Sequence, residues 1–203
     1  EILLRIKPGT DIAAFRALLQ EINGNVIDCI PNLGIYRVRI PDSVDLRWLV
    51  AELSRQSIVQ HAEPNLIVEA PTPIRNGDQT ASTDPIMPKL ASNATAVAVL
   101  DTGVATNIGL ERYILAGLDA VNPLKELSDT RGHGTQMSLL SSGAVTPAGI
   151  SSSGADAAAI IPIRTFDDQG LATSFTFLRA VDFAVVNGAR VFSMSWTSEE
   201  NSG

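Results

Sequence analysis

The sequence predicts an α/β chain in two parts, and three observations carry that reading. Residues 1–70 follow a strand–helix–strand–strand–helix–strand order. Residues 94–203 alternate short, unbroken apolar runs with amphipathic helices, the pattern of a parallel sheet covered on both faces. Between them, residues 71–93 crowd Gly, Pro, Ser, Thr and Asn, and read as a linker or an irregular lead-in.

The first part begins with an apolar strand, Glu1–Lys7, closed by the turn pair Pro8-Gly9. Thr10 or Asp11 can cap a helix whose apolar positions are Ile12, Phe15, Leu18, Leu19 and Ile22, spaced by threes and fours. Asn23-Gly24 stops it. Asn25–Ile30 is a strand, Asn32-Leu33-Gly34 a turn, and Ile35–Ile40 a strand that alternates apolar with basic residues. Pro41-Asp42-Ser43 leads into a second helix carrying Leu46, Leu49, Val50 and Leu53. Ile58–Ala70 is extended again, with Pro64 at an edge or a break. The βαββαβ order is the split ferredoxin-like arrangement.

In the second part, Thr95–Leu100 suits a strand buried on both faces. His133–Ser142 is helical in pattern, with Met137, Leu139 and Leu140 as its apolar residues. Ala157–Arg164 is a second buried strand. Phe175–Val186 is a helix with Phe175, Leu178, Val181 and Val185 on one side, ended by Asn187-Gly188, and Arg190–Trp196 is a third strand.

Composition excludes several classes. At 45% hydrophobic and 18% charged, the 203 residues form a core. A net charge of −7 argues against a nucleic-acid surface. The apolar runs are too short to span a membrane. One cysteine, Cys29, and two histidines, His61 and His133, leave no basis for an intrachain disulfide or a Cys- or His-rich metal site, and no cofactor is expected. Cys29 and His61 read as ordinary strand residues.

Two short stretches carry chemistry. In Val97–Gly103 an apolar strand ends in Asp101, followed by Thr102-Gly103. A carboxylate at the carboxyl end of a parallel strand faces the ligand crevice, where it can orient a histidine or activate water. By itself it could equally satisfy local backbone amides. In Asp129–Thr135 a histidine is flanked by Gly132 and Gly134 and opens a helix. The glycine bracket lets a reacting group approach a ring suited to proton transfer near neutral pH.

Together the stretches resemble the subtilisin-like serine proteases. Asp101-Thr102-Gly103 matches that family's Asp-Thr/Ser-Gly, and Gly132 to Thr135 its Gly-His-Gly-Thr, in the order Asp before His. Val191–Ser195 is similar to its substrate-binding strand. Residues 1–70 resemble its inhibitory propeptide, with Glu63-Pro64-Asn65 near the end. The resemblance implies a propeptide-like inhibitor and folding-template domain over 1–70, a linker or lead-in over 71–93, and a partial subtilisin-like catalytic domain over 94–203. It implies His133 as general base and Asp101 as its orienter. It also implies a substrate groove formed by Ser195, Trp196 and Thr197 on one side and by Gly170 and Leu171 on the other. The propeptide tail Leu66, Ile67, Val68, Glu69 and Ala70 would lie in that groove, with cleavage in Val68–Gly77.

Departures from the family set the remaining expectations. No Gly-Thr-Ser-Met/Leu-Ala segment occurs; Thr173-Ser174 and Ser141-Ser142 lack that context. The nucleophilic serine is therefore expected on a second polypeptide, or on sequence outside this chain, which should neither complete the fold nor hydrolyse peptides alone. The apolar sheet edge after Trp196 is expected to be open. Trp196-Thr197-Ser198 replaces Leu-Gly-Gly, which reshapes the groove, and the carboxylate-poor loop Ser141–Gly154 makes a calcium site there unexpected.

The function expected is that of a serine endopeptidase zymogen portion acting on extended polypeptides, secreted or in the cell envelope, with no nucleic-acid or membrane partner. The alternative is an inactive propeptide-type inhibitor or a pseudoprotease that binds peptides. An aspartic protease would need a paired second Asp on an all-β scaffold.

Overall fold

A computed structural model describes residues 1–70, 89–90, 94–106, 108–145 and 156–196. Most of the linker expected over 71–93, part of the Ser141–Gly154 loop, and Thr197 lie outside the described residues. The chain divides into two units: Glu1–Leu66 with Thr173–Phe175, and the chain from Ile67 onward apart from those three residues.

The first unit contains β1 (Ile2–Ile6), α1 (Ile12–Glu21), β2 (Asn25–Ile30), β3 (Ile35–Arg39), α2 (Leu46–Leu53) and β4 (Val59–Pro64). The sheet order is β2-β3-β1-β4 and the pairing is antiparallel, as the βαββαβ pattern requires. Asp11 caps α1 by accepting the Ala13 N–H, and Asp45 caps α2 by accepting those of Arg47 and Trp48. At the end of α1, Asn23 rather than Gly24 takes the left-handed conformation, with φ at 49°. Ile2, Leu4, Val38, Ile40 and Ala62 of the sheet region pack with Leu18, Leu49 and Leu53 of the helices. Ile12, expected on the apolar face of α1, is 59% exposed because it is the first residue of the helix.

A polar knot closes this unit. The Glu1 carboxylate accepts from Arg37 Nε at 2.8 Å and Nη2 at 3.0 Å, and from Asn65 Nδ2 at 2.9 Å. Burial alone would raise the Glu1 pKa, but the Arg37 and Asn65 hydrogen bonds outweigh it and hold the carboxyl below its ordinary value. Asn65 Oδ1 accepts the Phe175 N–H at 3.0 Å, and the Leu66 carbonyl accepts the Ser174 N–H at 2.9 Å.

The second unit contains β5 (Ile67–Glu69), β6 (Ala96–Asp101), β7 (Leu118–Asp119), α3 (His133–Ser142), β8 (Ala159–Arg164), β9 (Leu171–Thr173), α4 (Ser174–Val186) and β10 (Ala189–Met194), apart from Thr173–Phe175 of β9 and α4. Its main sheet is parallel, in the order β10-β6-β8-β7. Three strands were expected. The fourth, β7, has two residues and no periodicity for a sequence reading to detect. Every residue of β8 is buried, as its unbroken apolar run requires. Strand β10 stops at Met194, so Ser195 and Trp196 follow the strand instead of belonging to it.

Both helices correct the expected faces. The buried residues of α3 are Gly134, Ser138 and Ser142, a stripe of small side chains at i, i+4 and i+8, while Leu140 is exposed. In α4 Phe175 is buried as expected and is joined by Thr176, Ala180 and Ala184, while Val181 and Val185 are exposed. Small residues let these backbones approach the sheet, and apolar periodicity does not register them. The cost in α3 is a fully buried Ser138 hydroxyl with no hydrogen-bond partner among the described residues. Ser138→Ala is therefore expected to raise the unfolding free energy by about 1 kcal/mol, measured by denaturant titration.

Candidate active site

Strand β6 delivers Asp101 to the carboxyl end of the parallel sheet. The residue is 2% exposed, and its carbonyl accepts the Thr165 N–H at 2.7 Å, which fixes the strand end against β8. Gly132, in the left-handed conformation, turns the chain into α3, and His133 is the first residue of that helix. The imidazole Nδ1 lies 2.8 Å from Asp101 Oδ1. An ionised carboxylate can only accept, so Nδ1 carries the proton and Nε2 presents its lone pair. Among the described residues, nothing hydrogen-bonds to Nε2.

Gly134 and Gly103 also have a packing role that the sequence reading did not anticipate. A Cβ on Gly134 would overlap the backbone of Thr102 and Gly103, and one on Gly103 would overlap the Ser128 carbonyl. Gly134 thus admits the neighbouring loop, allowing the two motifs to pack backbone against backbone, whereas a Cβ on Gly132 would meet open space.

The residue that joins them, Asp129, was not singled out in the sequence. Its Oδ1 accepts from Thr102 Oγ1 at 2.9 Å, Arg131 N at 3.1 Å and Gly132 N at 2.8 Å. Its Oδ2 accepts from Thr135 N at 2.8 Å and Thr135 Oγ1 at 2.6 Å. Thr102 Oγ1 in turn accepts the Gly134 N–H at 2.9 Å, and Thr135 Oγ1 accepts that of Ala105 at 2.8 Å. Burial would raise the Asp129 pKa, but the donors from Thr135, Gly132 and Thr102 outweigh it and lower the value. The available sequence signal was an Asp three residues before a glycine that opens a helix, a spacing suited to a turn capped by the carboxylate.

The other expected site residues divide. Gly170, with φ at +83°, closes a tight turn in which Asp167 Oδ1 accepts the N–H groups of Gln169 at 2.9 Å and Leu171 at 2.8 Å. The Gly170 carbonyl accepts the Ala70 N–H at 2.7 Å, and β5 pairs with β9 in a separate two-stranded sheet. Gly170 and Leu171 are thereby brought together with Ile67 to Ala70. Ser195 and Trp196 do not join that pairing: among the described residues β5 pairs with β9 alone. The Trp196 ring packs on Phe177, with centroids 4.2 Å apart, and on Phe166, 5.7 Å apart. Beneath the loop, buried Arg164 pairs with Asp119 at 2.9 Å and with Asp168 at 3.0 Å. Thr130 Oγ1 donates to Asp168 at 2.9 Å.

No group of three or more His, Cys, Asp or Glu side chains forms a candidate metal site among the described residues. No helix there is long and apolar enough to cross a membrane.

Comparison with known proteins agrees with this geometry. Residues 92–203, more than half of the chain, match the subtilase family, peptidase S8. The chain belongs to the subtilase family. Residues 1–65 of this subtilase match the fervidolysin N-terminal prodomain. The chain is 27% identical over 157 residues to a thermophilic serine proteinase of Bacillus sp. (strain AK1), covering 72% of this chain and 39% of that protein. It is 33% identical over 101 residues to serine protease AprX of Bacillus subtilis (strain 168), covering 47% and 22%. The subtilase chain thus spans well under half the length of these relatives. Among solved structures, fervidolysin from Fervidobacterium pennivorans, a keratinolytic enzyme related to subtilisin, superposes with a TM-score of 0.63 at 20% identity, covering 96% of this chain and 35% of that one. An epidermin leader peptide processing serine protease from Staphylococcus aureus gives 0.60 at 17%, covering 94% and 49%. At these identities the likeness establishes the fold.

Two outcomes test the site's architecture. Gly134→Ala is expected to cost about 1–3 kcal/mol by forcing the two loops apart, and to displace the downfield Nδ1 proton resonance of His133. Asp129→Asn is expected to lose about 1–3 kcal/mol at neutral pH, because an amide cannot accept all of these donors. The folded-state pKa of Asp129 is lowered, so its stabilisation is present above about pH 4 and fades as pH falls through the folded value. The deficit of the variant should therefore shrink in acid, which unfolding curves at stepped pH would reveal.

Proposed function

We propose that this chain is the zymogen portion of a subtilisin-like serine endopeptidase, with His133 as general base, Asp101 as its orienter, and the nucleophilic serine supplied from outside these residues. The observation that carries the reading is the 2.8 Å contact between His133 Nδ1 and the buried Asp101 carboxylate. That contact fixes the tautomer, so Nε2 can take the proton of a serine hydroxyl as it attacks a peptide carbonyl. Asp101 then stabilises the imidazolium, and Nε2 returns the proton to the leaving amine.

The substrate is an extended polypeptide that pairs with β9, the strand that β5 pairs with here. Residues 1–70 act as folding template and as product-like inhibitor, the Leu66–Ala70 tail standing where substrate would stand. The partner is a polypeptide carrying the rest of the catalytic domain. The flank of β10 that is unpaired among the described residues supports it: Val191 and Met194 are about half exposed, and Val181 and Val185 of α4 are exposed too. The setting proposed is secreted or cell-envelope. The pairing of β5 with β9 also favours a second reading, in which the chain is an inhibitor or a peptide-binding pseudoprotease.

Intact mass of folded, purified material under denaturing conditions separates the two. A second polypeptide bearing a Gly-Thr-Ser segment, with hydrolysis of an unfolded protein substrate that falls at least ~10⁴-fold in His133→Ala, is the expected result. A chain that is folded alone, and that blocks a subtilisin-type protease in trans without hydrolysis, would replace the first reading by the second.

A further inference from the structure

Arg131 lies two residues before His133 in the same loop, and its guanidinium packs against Gly170. A Cβ built on Gly170 would stand 3.0 Å from the guanidinium carbon and 3.1 and 3.2 Å from its terminal nitrogens. The carbonyl of that same glycine accepts the Ala70 N–H. The guanidinium and the tail residue therefore meet on one residue. Exposure along the tail alternates: Val68 and Ala70 are half-buried, Ile67 and Glu69 exposed. In an extended strand this turns the side chains of 68 and 70 toward the protein and those of 67 and 69 away.

The charge on Arg131 is unclaimed. Its side chain makes one long hydrogen bond, from Nη1 to the Asp168 carbonyl at 3.4 Å, and among the described residues no carboxylate lies within ion-pairing distance of it. The carboxylates of the neighbouring turn are already engaged. Asp168 is held by Arg164 and Thr130, and Asp167 by two backbone N–H groups. A planar guanidinium with free donors is the side chain best matched to a carboxylate.

We infer that Arg131 selects an acidic side chain, Asp or Glu, at the position of a bound polypeptide that corresponds to Ala70. The inference rests on the proposed function, since it takes β5 to stand where substrate stands. Ala70 is small and neutral, so the chain's own tail forgoes a contact that an acidic substrate makes. Asp167 and Asp168 oppose the attraction at longer range, so the preference is a contact effect and weakens with salt.

The test uses the 203-residue chain. Amide hydrogen exchange at residue 70, corrected for intrinsic rates, is compared among Ala70→Glu, Ala70→Gln and Ala70→Lys, with Arg131 present and in Arg131→Gln. With Arg131, Glu is expected to slow exchange about threefold relative to Gln at low salt and Lys to speed it, a size typical of an exposed ion pair. Both differences should vanish in Arg131→Gln and largely persist in Arg131→Lys. Equal protection of the Glu and Gln variants, or a difference that survives Arg131→Gln, would overturn the inference. A second readout is kcat/KM of the catalytically complete protein on peptides bearing Glu or Gln at that position. Hydrolysis of neither peptide, with the exchange pattern intact, would count against the protease reading and leave the charge selection standing.

Discussion

The constraint on which the site depends is the absence of room for a side chain at residue 134. The first turn of α3 and the Thr102–Gly103 backbone touch there, and everything chemical in the site follows from that approach. It sets the reach of His133 to Asp101. It also brings the hydroxyls of Thr102 and Thr135 to the two oxygens of one carboxylate, so that Asp129 ties both loops with charged hydrogen bonds. The small-residue stripe of α3 extends the same logic along the helix, at the cost of the unpartnered Ser138 hydroxyl.

Much of this was legible in the sequence. The helices, the four strands of the first unit and strands β6, β8 and β10 announce themselves by periodicity, by an Asp cap at α1 and by Gly or Asn stops. Asp101 and His133 stand out because each sits beside glycine at an element boundary. What escaped has physical reasons. Strand β7 is too short for a pattern. The packing face of α3 and, beyond Phe175, that of α4 are built largely from Gly, Ser, Thr and Ala, which a search for apolar stripes passes over. Asp129 was visible as a residue, but its part depends on hydroxyls and amides that converge only after folding. The packing of the Trp196 ring on Phe166 and Phe177 was likewise not visible in one dimension.

Charge in this chain is placed for position more than for net effect. Glu1, Asp129 and Asp168 all have lowered pKa values, and in each case local donors are the reason. Each carboxylate joins segments far apart in sequence: Glu1 with Arg37 and Asn65, Asp129 with Thr102, Asp168 with Thr130. The buried Arg164 is compensated on both sides, which is what makes its burial tolerable.

The pairing of β5 with β9 has a kinetic side. Two strands cannot occupy the same edge of β9, so any incoming polypeptide must wait for β5 to leave. Because β5 is part of the same chain, it competes at a fixed local concentration, whatever the dilution of the protein. Severing the backbone after Ala70 would turn that constant into a variable: the released strand would compete only in proportion to how much of it remains nearby. The edge of β9 would then answer to abundance and dilution, where before it answered only to its own chain.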